Sequence, residues 1–151
     1  MKRTHTNGEL RLSDAGKKVS LIGWVAKRRN FGSLVFIDLR DRSGITQLVF
    51  DETISEQIKE VRNEYILEVS GTVLERKDKN DKLPTGDIEV KVEEVIIVNS
   101  AETTPIIVAD DTDALEDTRL KYRYLDLRRP VMQKKLMMRH QITRSMREYL
   151  D

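Results

Sequence analysis

Residues 23–44 read GWVAKRRNFGSLVFIDLRDRSG, and the alternation inside this stretch decides the fold. Val35, Ile37 and Leu39 fall on one face of an extended segment, while Leu34, Phe36, Asp38 and Arg40 fall on the other, the period of a half-buried strand. The stretch predicts two antiparallel strands joined at Asn30, Phe31 and Gly32. Phe36 stands among polar neighbours, on the face turned to solvent. Lys27, Arg28 and Arg29 close the first strand, and Gln47 lies on the strand that follows. A single exposed Phe is ordinary surface, and a basic run at a strand end is ordinarily a solvated turn. Gathered on one sheet face, cations for phosphate, an aromatic plane for a base and an amide for a base edge are the three parts that single-stranded nucleic-acid recognition needs.

On the N-terminal side, residues 1–7 read as a polar arm and residues 8–18 as a lead-in with a turn at Asp14, Ala15 and Gly16. The first strand begins near Val19. Val19 and Leu21 point inward, but the same parity carried onward would bury Lys27 and Arg29. A β-bulge at Gly23 is predicted to resolve this, turning Trp24 and Ala26 inward and Val25, Lys27 and Arg29 outward.

On the C-terminal side, a third strand over residues 45–50 sets Thr46, Leu48 and Phe50 against Ile45, Gln47 and Val49. The period then changes. Ile54, Ile58 and Val61 fall at helical spacing within residues 53–63, with Thr53 and Glu56 as a capping box. Strands resume at 65–77 and 87–99, separated by a polar loop over 78–86; in the last strand Ile88, Val90 and Val92 face inward and Glu89, Lys91 and Glu93 outward. Three strands, a helix and two strands is the order of the OB-fold, a mainly β, five-stranded barrel whose face over strands two and three binds oligonucleotides. An SH3-like barrel has as many strands but does not place a helix between the third and the fourth.

Beyond the barrel, residues 101–111 read as an extended linker. Helical spacing returns from Thr112, with Leu120, Tyr124 and Leu127 on one stripe. Pro130 suits the first turn of a new helix, along which Val131, Met138, Ile142, Met146 and Tyr149 form an apolar stripe. Asp151 arrives with no helix stop signal, which predicts a truncated chain.

A net charge of +1 on 151 residues does not announce a nucleic-acid partner; its distribution says more, both ends being basic and the middle acidic. Residues 1–50 carry +6, residues 51–118 carry −12 and residues 119–151 carry +7. The absence of cysteine excludes disulfides and thiolate metal sites, and fits a reducing cytosol. No apolar run has the length of a membrane span or a signal peptide, so a cytoplasmic protein without membrane contact is expected. His5 and His140 are the only histidines, and neither a phosphate-cradling glycine loop nor metal-ligand spacing accompanies them, so no catalytic residue is assigned.

The stretch at 23–44, together with RLKYRYLDLRRP at 119–130, resembles bacterial aspartyl-tRNA synthetase, a class II aminoacyl-tRNA synthetase, over nearly the whole chain. The second motif is the more specific, because the lysyl and asparaginyl relatives share the barrel but depart from the Leu-Asp-Leu-Arg-Arg run. The resemblance implies an anticodon-binding OB domain over residues 1–100, a hinge with a helix over 101–130, and the first-motif helix of the catalytic domain over 131–151. It implies tRNA as partner, a homodimeric parent enzyme, and ATP and magnesium bound by parts of the parent beyond Asp151; for the residues here it implies no cofactor and no catalysis.

It also assigns RNA-binding roles. Phe36 matches the aromatic that stacks on a middle anticodon uracil, Gln47 the amide that pairs with that base, and Arg29 an anticodon-contacting arginine with Lys27 beside it. Glu89 matches the carboxylate that reads the N–H donors of a first-position guanine. Arg76 and Asn80 align near the third base. Two alternatives stand beside this one: a free-standing OB-type single-strand binder, or the anticodon domain of a lysyl or asparaginyl relative. A barrel serving only as a protein interaction module is the remaining class.

Overall fold

A computed structural model describes residues 2–151 and divides them into two compact units, up to Thr103 and from Thr104 to Asp151. In the first unit the chain forms β1 (Lys18–Phe31), β2 (Leu34–Arg40), β3 (Ile45–Phe50), a single helical turn α1 (Glu52–Ser55), β4 (Ile66–Glu75) and β5 (Ile88–Asn99). The sheet closes on itself in the order β1-β2-β3-β5-β4, with β1 pairing β4 to complete the ring. All pairings are antiparallel except β3 with β5. This is the OB-fold order expected from the alternation of periods.

Inward positions of every strand fill the centre. Val25, Ile37, Leu39, Leu48, Phe50, Leu67, Val73, Ile88 and Val90 are fully buried, and Ile54, Ile58 and Val61 close one end. That end is shorter in helix than expected: a 3-10 turn over Glu56–Ile58 follows α1, and no helix runs on to residue 63. The cap is Asp51, whose side chain accepts from the Thr53 amide, and not Thr53 itself.

The predicted bulge at Gly23 is corrected. Pairing of β1 with β4 runs unbroken through Ile22, Gly23 and Trp24, and Val25 is buried while Trp24 and Ala26 are only half-buried. The break lies two residues on, where Val25 pairs Leu39 but Lys27 pairs Asp38, so Ala26 is the extra residue. Gly23 has a different reason to be glycine: a Cβ there would stand 2.6 Å from the Arg40 carbonyl oxygen and 2.8 Å from Asn7 Nδ2. Because the shift at Ala26 precedes Arg29, that side chain still faces the Phe36 side. The β1–β2 turn is also tighter than expected. Asn30 and Phe31 remain paired with Val35 and Leu34, and only Gly32, at φ 60°, and Ser33 make the bend.

The polar arm is tied down. Asn7 is fully buried; its amide nitrogen donates to Asp41 Oδ2 (2.9 Å), its side chain donates to the Ile22 carbonyl (2.9 Å), and its carbonyl accepts from Thr46 Oγ1 (2.8 Å). Leu10, next in line, is in the core.

The second unit holds α2 (Glu116–Lys121), α3 (Arg123–Asp126) and α4 (Pro130–Leu150), the last starting with Pro130 in its first turn as expected. The Leu120, Tyr124 and Leu127 stripe does not form, since Tyr122 (φ −106°, ψ 46°) separates α2 from α3 and leaves Leu120 and Tyr124 exposed. Buried instead are Leu125, Asp126 and Arg129. Asp126 accepts from Arg129 Nη1 (2.8 Å) and Arg123 Nη1 (2.5 Å), and these guanidinium partners, Arg129 first, hold its carboxyl below the usual range. Arg129 in turn donates to the carbonyls of Ala109 and Asp110, while Asp110 Oδ1 accepts the Val131 amide at the start of α4. The Leu-Asp-Leu-Arg-Arg-Pro motif thus ties Ala109 and Asp110 to the start of α4.

Candidate nucleic-acid interface

The outer face of β1, β2 and β3, with the β4–β5 loop at its rim, encloses a groove of about 620 Å³. Alternation places its side chains. Phe36 pairs across the ladder with Arg29, and Asp38 pairs with Lys27 on one side and Gln47 on the other. Each of these positions is out of phase with the buried Val35, Ile37 and Leu39. Arg29, Phe36, Gln47, Arg76 and Glu89 line the groove together.

A hydrogen-bonded chain crosses its floor. Arg29 Nη2 donates to Asp38 Oδ1 at 2.6 Å and to Gln47 Oε1 at 3.2 Å, and Gln47 Nε2 donates to Glu89 Oε2 at 2.8 Å. Gln47 is only 7% exposed although it lies on the outward face, because these neighbours cover it. Burial pushes the Asp38 carboxyl above the usual aspartate range, against the opposing pull of Arg29, Arg76 and Lys27. The groove therefore mixes cations (Arg29, Arg76, Lys77) with carboxylates (Asp78, Glu89, and Asp38 bonded to Arg29), beside the rings of Phe31 and Phe36 and the Gln47 amide held between Arg29 and Glu89. Such a surface suits a base stacked on a ring and read along its edge.

Two expected residues do not line the groove. Lys27 is exposed across from Asp38, near enough for its charge to act on that carboxyl. Asn80 accepts the Lys82 amide through Oδ1 and exchanges backbone bonds with Gly86 and Leu83, shaping the loop. Among the groups not singled out from the sequence are Asp38, bonded to Arg29, and Phe31, which lines the groove with Lys77 and Asp78. Asp38 looked like any polar outward residue, and its meaning lies in contacts with β1 and β3. Phe31 was assigned to the bend, whereas it ends β1, is 77% exposed and lines the groove. Its hydrophobicity in a polar run was the available signal.

Arg28 faces the other way. Its Nη1 donates to the carbonyls of Lys59 and Val61, closing the barrel end below α1. Among the described residues no three His, Asp or Glu groups converge as metal ligands, and no described helix is long and apolar enough to cross a membrane.

Residues 19–98 match the family described as OB-fold nucleic acid binding domain, and residues 115–151 match class II tRNA synthetases of the D, K and N type. The aspartate–tRNA(Asp/Asn) ligase of Bacillus anthracis is 54% identical over 99% of this chain and 26% of its own length. The chain thus spans about a quarter of the length of the curated relatives it matches. Among solved structures, asparaginyl-tRNA synthetase from Pyrococcus horikoshii superposes with a TM-score of 0.84 at 26% identity, over 99% of this chain and 34% of that one. Aspartyl tRNA synthetase from Entamoeba histolytica superposes with a TM-score of 0.88 over 99% of this chain and 37% of that one; at 22% identity it speaks for the fold alone.

Proposed function

The chain belongs to the family of OB-fold nucleic acid binding domains, and from that premise we propose that it reads the anticodon of tRNA as the N-terminal part of an ATP-dependent aspartate–tRNA ligase. The observation that carries this is the convergence of Arg29, Phe36, Gln47 and Glu89 on one groove. Two matches support it: the class II segment at residues 115–151 and the 54% identity to an aspartate–tRNA(Asp/Asn) ligase.

In this reading the Phe36 ring supports the middle base, a uracil, and Gln47 bonds its edge, an amide being both donor and acceptor. Arg29 and Lys27 attract the backbone and hold the base in place. Glu89, an acceptor only, takes N–H donors from a first-position guanine. Arg76, at the rim, meets the third base, with Asn80 setting the loop that carries it.

Residues 1–100 are then the anticodon domain, 101–130 the hinge and 131–151 the opening of a catalytic domain. ATP and magnesium belong, in this reading, to other parts of the parent enzyme, and no step is assigned to them here. The parent works in the cytoplasm as a homodimer.

Titration of the 151-residue chain with RNA stem-loops tests the proposal. Preference for a loop bearing an aspartate anticodon over a scrambled loop is expected. Equal affinity for both would favour a general single-strand binder, and no affinity for either would make the barrel an interaction module.

A further inference from the structure

We propose that Asp38 is a positioning residue: it fixes which way round the Gln47 amide faces and, through that amide, the preference of the groove for uracil over cytosine. The inference rests on the anticodon reading above and adds to it a residue that touches no base.

Asp38 and Gln47 are directly paired on β2 and β3, and Arg29 reaches both from β1. One nitrogen, Arg29 Nη2, makes both bonds, so its two hydrogens are committed, one to Asp38 Oδ1 and one to Gln47 Oε1. At the other end Gln47 Nε2 donates to the Glu89 carboxylate. Reversing the amide would set its NH2 against a guanidinium and its oxygen against a carboxylate. Gln47 is 7% exposed, so water cannot repair those contacts. Its polarity is locked from both ends by charge.

The lock has a chemical consequence. Gln47 keeps a second lone pair on the Arg29 side and a second hydrogen on the Glu89 side, an acceptor followed by a donor. Uracil presents an N3–H donor beside the O4 acceptor. Cytosine presents the reverse, an N3 acceptor beside the N4 amino donor. A base whose plane is set by the Phe36 ring and whose presented edge is set by its attachment to the RNA backbone therefore matches the locked amide in one case and opposes it in the other. Asp38 is needed because Arg29 is itself 41% exposed and has solvent as an alternative; the carboxylate, 19% exposed, draws it in.

Asp38→Asn keeps the shape and removes the charge. Wild-type and variant chains are titrated with two stem-loops that have guanine first and differ only in a middle uracil or cytosine, each protein being checked by thermal melting. The wild type should prefer uracil, and Asp38→Asn should lower that preference by about tenfold or more, in the range of a lost base-edge match. Glu89→Gln, at the far end of the lock, should lower the same preference, and it decides the matter if Asp38→Asn fails to fold. Weakening of both stem-loops by the same factor, or an unchanged preference, would overturn the proposal. A wild type that binds both equally would overturn it as well while leaving the anticodon surface in place, whereas a wild type that binds neither would remove the anticodon reading itself.

Discussion

Arg29 and Phe36 stand opposite one another across the β1–β2 ladder on the outer face of the sheet, one step out of phase with Ile37, which is fully buried. Neighbouring residues on one strand thus belong to different parts of the protein. Phe36→Ala should cost RNA affinity about 1–3 kcal/mol, the worth of one stacked base, with little change in unfolding midpoint. Ile37→Ala should cost about 2–5 kcal/mol of stability through a core cavity. Anisotropy titration and chemical denaturation of both variants separate the two effects; equal effects in both assays would refute the division.

Gly23 is required by close approach rather than by a bulge. A methyl at this position meets the Arg40 carbonyl and the buried Asn7 side chain, so Gly23→Ala should destabilise the protein by about 1–3 kcal/mol, the usual cost of overpacking. Gly16, where a Cβ would meet nothing within 4 Å but φ is 84°, provides the comparison, its substitution being penalised by backbone strain alone. Urea denaturation of Gly23→Ala checks this.

Arg40 Nη2 holds both carboxylate oxygens of Glu64, at 2.7 and 3.0 Å, with side-chain exposures of 13% and 8%. Arg40→Leu removes this cation from a buried carboxylate and should cost about 3–5 kcal/mol. The double variant Arg40→Leu, Glu64→Gln should lose less than the two single changes together, because the residues are coupled. Additive losses would contradict the coupling.

Asp38 has its carboxyl raised by burial, so the folded state binds this proton more tightly than the unfolded chain does. Its contribution therefore grows more favourable as pH falls through the window just above the ordinary aspartate range, and is lost as pH rises out of it. The wild type should gain stability relative to Asp38→Asn on acidification across that window. Paired thermal melts over a pH series measure the difference, and a difference moving the other way would refute it.

The alternation of Val35, Ile37 and Leu39 and of Thr46, Leu48 and Phe50 was readable because a period of two assigns every side chain a face, and Phe36 and Gln47 followed from it. Contacts that leave no period were not readable. Asn7 and Leu10 join the core through side-chain bonds to distant backbone. The shift at Ala26 carries no glycine to mark it, and Tyr122 interrupts a stripe that spacing alone would continue. Asp38 has the same outward parity as its neighbours on β2; only the arrival of Arg29 from β1 and Gln47 from β3 makes it a member of the site.

The most direct test of the recognition surface is a structure of this chain bound to an anticodon stem-loop. The middle base should lie flat on the Phe36 ring with its edge toward Gln47, and the first base should sit beside Glu89. An RNA seated elsewhere, for instance against Ser20 and Ser70 on the β1–β4 side, with the Phe36 ring left bare, would contradict the account.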